Sequence, residues 1–144
     1  MYSDFLAQHK LWNGRDIRSI EFYLAIVGLV IAAYLTIYHY SASVPLACPD
    51  SGTVDCAYVL TSSFSMLFGI PIALYGLAFF AMEILLILFD WKWDLLYLNA
   101  LGITFVVYLL YAEYELGKIC IYCTAVHILV ISLLILSALN LRRK

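Results

Sequence analysis

Four apolar segments, each about 20 residues long, constrain the fold of this chain more than any other feature of its sequence. A helix needs about 20 apolar residues to cross the hydrocarbon core of a bilayer. The composition agrees, because 65% of the residues are hydrophobic and only 12% are charged, which is far from the balance of a soluble domain. We therefore predict an all-α membrane protein with a single domain, a bundle of four transmembrane helices over about 22–43, 69–89, 95–114 and 119–141.

Basic residues indicate which way this bundle faces. With four crossings both termini lie on one side, and that side holds seven Lys and Arg residues, whereas Lys118 is alone on the other. Because cytoplasmic loops carry the excess of basic residues, both termini are predicted to be cytoplasmic. No basic patch suggests a nucleic-acid partner. The seven residues are Lys10, Arg15, Arg18, Lys92, Arg142, Arg143 and Lys144.

The segment 44–68, between the first two predicted helices, is too long for a tight turn and lies on the outer side. Pro45 and Pro49 mark turns in its first half. From Ala57 to Phe68 apolar residues recur at helical spacing, with Ser and Thr on much of the other side. This pattern predicts a short half-helix that lies horizontally in the outer interface and caps the bundle. The alternative is a loop that lies on the membrane without a capping role.

All four cysteines fall on the predicted outer side, where disulfides persist. Cys48 and Cys56 lie in the outer loop, and Cys120 and Cys123 form a Cys-x-x-Cys at the start of the fourth helix. Residues three apart share a helix face, and the positive end of the helix dipole favours a thiolate there. His127 follows on the same face, about 6 Å deeper by helical rise. This arrangement is typical of a redox dithiol.

Each of these features also has a simpler interpretation. A Cys48–Cys56 bridge can be purely structural, and a residue such as His127 is more often a hydrogen-bonded core side chain than a ligand. Zinc is disfavoured, and no metal is predicted, because seven residues separate Cys48 from Cys56, rather than the usual two to about four. Two cysteine pairs on the same oxidising face favour an electron relay.

Four elements in this order resemble the vitamin K epoxide reductase family over about 19–141. They are the spacing of Cys48 and Cys56, the segment Cys-Ala-Tyr-Val-Leu-Thr-Ser-Ser at 56–63, Phe68-Gly69 before the second helix, and the Cys-x-x-Cys. The chain is similar to short prokaryotic homologues without a fused thioredoxin domain. The resemblance implies a prokaryotic cytoplasmic (inner) membrane location, with the cysteines on the extracytoplasmic side. It also implies a four-helix bundle around a quinone pocket, capped by the outer loop and half-helix.

The resemblance further implies an electron relay. A separate thioredoxin-fold (DsbA-like) dithiol oxidase on the outer side passes electrons to Cys48, and Cys56 then attacks Cys120. Cys123 is left as the thiolate that faces a quinone, which is ubiquinone, menaquinone or a vitamin K type. The result is disulfide-bond formation in exported proteins. The family picture places these residues around the quinone: Cys123, His127, Leu60, Phe64 and Tyr111.

Two departures from the animal enzymes favour a plain quinone over vitamin K epoxide, whose reduction is the alternative activity. His127 stands where the animal enzymes have a tyrosine, and Ile70-Pro71-Ile72 fills the region of an asparagine. Histidine suits hydrogen-bond or proton donation to a quinone carbonyl because it ordinarily titrates near neutral pH. A second enzyme class is the DsbB-type quinone-linked oxidases, which have a similar bundle. Their two cysteine pairs come in the opposite order along the chain, which argues against this class. A different class of function is a carrier or channel. Its support is Glu83 within the second predicted helix, because intramembrane carboxylates often mark ion paths.

Overall fold

The computed structural model describes residues 14–41, 43–49 and 51–142. Three of the basic residues behind the predicted orientation, Lys10, Arg143 and Lys144, lie outside these ranges. The described chain is mostly helical, as predicted. Its elements are α1 (Gly14–Tyr40), α2 (Cys56–Thr61), β1 (Met66–Leu67), β2 (Ile70–Pro71), α3 (Ile72–Leu88), α4 (Lys92–Leu116) and α5 (Ile121–Arg142).

The four longer helices pack side by side in a ring, in which α1 and α4 each contact both α3 and α5. Every helix contributes to the buried core between them, which contains Ala32, Phe80, Val106, Val130 and Leu133. Many large apolar side chains also remain exposed on the outside of the bundle. An apolar exterior of this extent is typical of a surface that faces lipid.

Close contact between α1 and α3 depends on a glycine. Gly28 faces the ring of Phe80, and a Cβ atom at this position would overlap the ring. The missing side chain therefore allows the two backbones to approach, as small residues do in membrane bundles. At Gly76, by contrast, a Cβ atom would lie at an ordinary 3.6 Å from the Cβ of Ala32.

Three helices, α1, α4 and α5, are long and apolar enough to cross a membrane. The helix α3 is apolar but has 17 residues, so it is shorter than the segment predicted over 69–89. Its start is delayed because Phe68 and Gly69 adopt positive φ angles of 53° and 78° in a tight turn. At its other end Asp90, with a φ of 58°, turns the chain toward α4.

The helix α1 begins well before the predicted start at residue 22. Ile17 and Glu21 are buried on its inner face, so the first turns of α1 pack against the bundle. These turns contain too many charged residues to be predicted as part of a membrane-spanning segment. Arg18 donates to the backbone oxygen of Leu88 at 3.0 Å and so ties the start of α1 to the end of α3.

The predicted half-helix over 57–68 is much shorter in the structure, where α2 ends at Thr61. It begins with Asp55 as its N-cap, whose carboxylate accepts from the backbone N–H of Tyr58 at 3.0 Å. It ends because Ser62 is extended and its hydroxyl donates to the oxygen of Val59, an alternative to continuing the helix. A 3-10 turn (Ser63–Ser65) and an antiparallel hairpin of β1 and β2 follow. We refer to 56–71 as the lid.

Candidate active site

The structure brings both cysteine pairs into one cluster at the outer end of the bundle. Cys48 and Cys56 form a disulfide with a Cα–Cα distance of 6.2 Å, whereas Cys120 and Cys123 are free thiols. Cys56, Cys120 and Cys123 are buried together, and Cys48 packs partly exposed against them. One pair is therefore a disulfide and the other a dithiol, and they are close neighbours.

Backbone hydrogen bonds hold the outer loop against the segment that leads into α5. The N–H of Asp55 donates to the oxygen of Ile119 at 3.1 Å, and the N–H of Ile119 donates to the oxygen of Thr53 at 2.9 Å. The hydroxyl of Tyr122 donates to the oxygen of Ala47 at 2.6 Å. These bonds join the loop that carries the first pair to the residues on either side of Cys120.

Side chains add two further attachments of this loop. The hydroxyl of Tyr34, on α1, donates to the oxygen of Pro45 at 2.7 Å. The ammonium of Lys118 donates to the backbone oxygen of Gly52. The loop is thus bonded to α1 on one side and to the α4–α5 connection on the other, which limits how far Cys56 can move from Cys120.

Cys120 occupies the position immediately before α5, and its backbone oxygen accepts from the N–H of Thr124 at 3.0 Å. Hydrogen bonding with the thiol of Cys123 lowers the pKa of Cys120 below its ordinary value, although burial opposes the effect. A thiol with a lowered pKa is both a better leaving group and more often a thiolate. Cys120 therefore has the chemistry needed for exchange with a neighbouring disulfide.

Beneath the cysteines lies a cavity of about 400 Å³ within the bundle. This size is within the range of small-molecule sites, about 300–1,000 Å³. Its lining is mainly apolar and includes Leu60 and Phe64 from the lid and Cys123 and His127 from α5. Four of the five residues predicted around a quinone therefore border a single cavity.

Tyr111 is the predicted pocket residue that the structure places elsewhere. Its side chain is 55% exposed on the outside of α4. It reaches only the back of the lid, where its ring meets that of Phe64 edge-on at 6.5 Å. Its neighbours Ala112 and Glu113 point into the cavity instead, because each step along a helix turns the side chain by about 100°.

His127 is 4% exposed, and neither ring nitrogen has a hydrogen-bond partner within residues 14–41, 43–49 and 51–142. A hydrogen-bonded core histidine would have such partners, so this interpretation does not fit. Buried polar groups are nearly always hydrogen-bonded, so these two nitrogens in a cavity wall are available to a polar atom of a molecule in the cavity. The ring of His127 is therefore suited to a small molecule with a polar group in an otherwise apolar body.

Glu113 borders both the cavity and the Cys-x-x-Cys, and it is not among the residues predicted from the sequence. It is 8% exposed, and its Oε1 accepts from the backbone N–H of Cys120 at 3.2 Å. The available signal was an acidic residue in an apolar helix, seven residues before Cys120 across a short turn. Intramembrane carboxylates of this kind are expensive and usually functional.

Glu83 lies away from this site and does not border the cavity. Its Oε1 accepts from the amide of Asn99 at 2.9 Å, so α3 and α4 are joined by a buried carboxylate–amide bond. The amide of Asn140 donates to Glu21 at 3.5 Å in a similar pair between α5 and α1. Both pairs are contacts between helices within the bundle.

Comparison with protein-family models gives a match to the vitamin K epoxide reductase family over residues 20–138. The matched range is most of the chain and includes the four cysteines, the lid, the cavity-lining residues Glu113 and His127, and most of each long helix.

Proposed function

Because the chain belongs to the vitamin K epoxide reductase family, we propose that it is a membrane disulfide oxidoreductase that passes electrons from a dithiol protein to a quinone. The observation that carries this proposal is the meeting of the two cysteine pairs directly above the cavity, with Cys123 in both the cysteine cluster and the cavity wall. A purely structural bridge would not require a second, free pair at that position.

The first half of the relay exchanges disulfides with a partner protein. A partner thiolate attacks Cys48, which is partly exposed whereas Cys56 is buried. The Cys48–Cys56 bond breaks, and Cys56 leaves as the thiolate. The partner's second thiol then closes its own disulfide, so two electrons have passed to Cys48 and Cys56.

The second half moves the same two electrons inward. The thiolate of Cys56 attacks Cys120 in a Cys120–Cys123 disulfide, and Cys123 leaves as a thiolate. Cys48 then attacks Cys56, which restores the Cys48–Cys56 bond and releases Cys120. A Cys48–Cys56 disulfide beside free Cys120 and Cys123 is the pattern of bonds that this step would produce, and in the proposed relay that state donates electrons to the acceptor.

The cavity fits a quinone as the acceptor. A quinone ring is flat and apolar, with carbonyl oxygens that accept hydrogen bonds, and the cavity combines apolar walls with the unpartnered ring of His127. His127 would donate to one carbonyl oxygen and stabilise the charge that develops there on reduction. Cys123, one helical turn above His127, would face the ring.

We further propose that all four long helices cross the membrane. A helix of 17 residues extends about 26 Å, close to the thickness of the hydrocarbon core. The hairpin that precedes α3 exposes the side chain of Phe68, which is 91% exposed and suits the interface. With the basic residues inside, the cysteines face the extracytoplasmic side of a prokaryotic cytoplasmic membrane, where a thioredoxin-fold oxidase of exported proteins would meet Cys48.

The test uses the purified protein in detergent, a reduced thioredoxin-fold oxidase as electron donor, and quinone absorbance as the measurement. We expect the wild type to reduce ubiquinone, menaquinone or a vitamin K quinone, and Cys123→Ala to abolish the reaction. Ser132→Ala, on the same helix with an exposed hydroxyl that donates to the backbone oxygen of Ile128, is the matched control and should retain activity.

Three outcomes would change the conclusion. Failure of the folded wild type to reduce any of these quinones would refute the proposal and leave the cysteines structural. Reduction of vitamin K epoxide at a rate above that of the quinones would replace it with the alternative activity. A donor variant that retains only its attacking cysteine should form a stable mixed disulfide with Cys48. If no mixed disulfide forms, the proposal that a thioredoxin-fold protein is the partner would be refuted.

A further inference from the structure

A buried carboxyl group borders the cavity and bonds to the backbone of Cys120, and the relay described above gives it no role. Glu113 is on α4, whereas the dithiol begins α5, and the turn between these helices brings them together. Its Oε1 accepts from the N–H of Cys120 at 3.2 Å, and its side chain also borders the cavity. Glu113 is therefore in contact both with the residue pair that donates the electrons and with the cavity that is proposed to hold the quinone.

That transfer must move protons as well as electrons. Disulfide exchange releases Cys123 and Cys120 as thiolates, which become the dithiol by taking up the two protons that the donor dithiol loses. Oxidation of this dithiol breaks two S–H bonds, forms the Cys120–Cys123 bond and releases two electrons and two protons, all of which the quinone takes up to form the hydroquinone. Cys123 borders the cavity and can release its proton there directly. Cys120 is fully buried and is not among the cavity-lining residues, so its proton needs a carrier.

We propose that Glu113 carries the proton of Cys120 to the quinone site. The carboxylate takes the proton as the sulfur–sulfur bond forms, and it returns to the carboxylate when the proton passes to a quinone oxygen. This inference rests on the proposed quinone reduction. Water is a poor alternative carrier in a cavity whose walls are mainly apolar.

Other titratable groups near this route come from three helices, and none of them bonds to Cys120 across helices as Glu113 does. Those that face the cavity or adjoin Cys120 are His39 of α1, Tyr75 of α3, and Tyr122, Cys123 and His127 of α5. Cys48 and Cys56, in the neighbouring loop, are joined in a disulfide and do not titrate.

The substitution Glu113→Gln separates the proton-carrying role from a positional one. The glutamine amide oxygen can still accept from the N–H of Cys120, but the side chain cannot take up a proton. Glu115→Gln is the matched control, because Glu115 is on the same helix two residues later and is exposed. Glu113→Asp retains a carboxyl group and serves as a second variant if the glutamine variant does not fold.

The first measurement needs no quinone. Thiolate absorbance is followed against pH with the Cys48–Cys56 bond intact, in a Cys123→Ala background in which Cys120 is the one free cysteine of the sequence. A carboxylate bonded to the backbone of Cys120 disfavours the thiolate of the same residue by charge repulsion, so Glu113→Gln should shift the Cys120 profile to lower pH by about one unit. Glu115→Gln should leave the profile unchanged. An unshifted profile in Glu113→Gln would overturn the inference whatever the quinone assay shows.

The second measurement is single-turnover reduction of quinone by the prereduced protein. Loss of a proton-transfer group typically slows such a step about 100-fold or more. We expect that decrease in Glu113→Gln, a smaller one in Glu113→Asp, and none in Glu115→Gln. A wild type without quinone reduction would refute the proposed function, whereas an active wild type matched by Glu113→Gln would refute only the role of Glu113.

Discussion

His127→Phe should change stability and activity in opposite directions. In the structure both ring nitrogens of His127 are buried without partners among the described residues. An unsatisfied buried polar group costs about 1–3 kcal/mol, and phenylalanine fills a similar volume without that cost. The free energy of unfolding measured without quinone should therefore rise by about 1–3 kcal/mol.

The same substitution removes the proposed donor to the quinone carbonyl. Loss of a hydrogen bond of about 1–3 kcal/mol corresponds to roughly a 5- to 150-fold loss of quinone affinity or turnover. The assays are thermal unfolding in detergent, with and without quinone, and steady-state quinone reduction. Quinone should stabilise the wild type more than the variant, because stabilisation by a given concentration of ligand increases as the Kd falls.

A second histidine provides the control. His39 also borders the cavity but is only partly buried, at the outer end of α1. His39→Phe should affect stability and quinone reduction much less. If His127→Phe reduced quinone like the wild type, or if it lost stability, the argument from the unpartnered ring nitrogens would be wrong.

Three further predictions concern the bundle and the loop. Gly28→Ala should destabilise the protein by about 2 kcal/mol or more, because the new methyl group would overlap Phe80 and overpack the α1–α3 contact, and thermal unfolding measures the loss. Glu83→Gln should leave quinone reduction and stability nearly unchanged, since the glutamine oxygen can still accept from Asn99, whereas Glu83→Leu should lower the free energy of unfolding by about 1–3 kcal/mol. Tyr122→Phe removes the hydroxyl that holds the outer loop and should slow stopped-flow electron transfer between the cysteine pairs by about 10-fold, with quinone affinity unchanged.

Each of these three predictions can be contradicted by a specific result. Gly76→Ala has room for its methyl group and should be tolerated, so equal losses at both glycines would contradict the close-contact argument. A large loss of quinone reduction in folded Glu83→Gln would give Glu83 a functional role and renew interest in ion transport. Wild-type electron transfer in Tyr122→Phe would mean that the backbone bonds alone hold the loop.

Much of this protein could be predicted from hydropathy and spacing, because these properties belong to the chain itself. Apolar residues over 95–114 and 119–141 can satisfy their backbone groups only as helices in lipid. The first segment lies within α4, and all of the second except Ile119 and Cys120 lies within α5. Cys120 stands immediately before α5, and Cys123 lies in its first turn. The spacing of three residues brings their two thiols close together. The family resemblance followed from these elements and the spacing of Cys48 and Cys56.

The length of the lid and of α3 was harder to predict because local alternatives compete closely there. Apolar spacing favoured a helix through Phe68, but the serine hydroxyls bond to the backbone and end α2 at Thr61. Phe68 then takes up a left-handed conformation that side chains rarely adopt, which the hairpin and its contacts with α3 support. The helical spacing of apolar residues does not indicate whether such side-chain hydrogen bonds will end a helix.

The inside of the cavity was decided by tertiary structure alone. The sequence determined that Tyr111, Glu113 and His127 lie in membrane helices, but not how each helix is rotated about its axis. Packing of α4 against α3 and α5 turns Tyr111 outward and Glu113 toward Cys120, and it leaves the ring of His127 without a partner in the described chain. Rotation depends on which side chains fit between neighbouring helices, and that is a property of the assembled bundle.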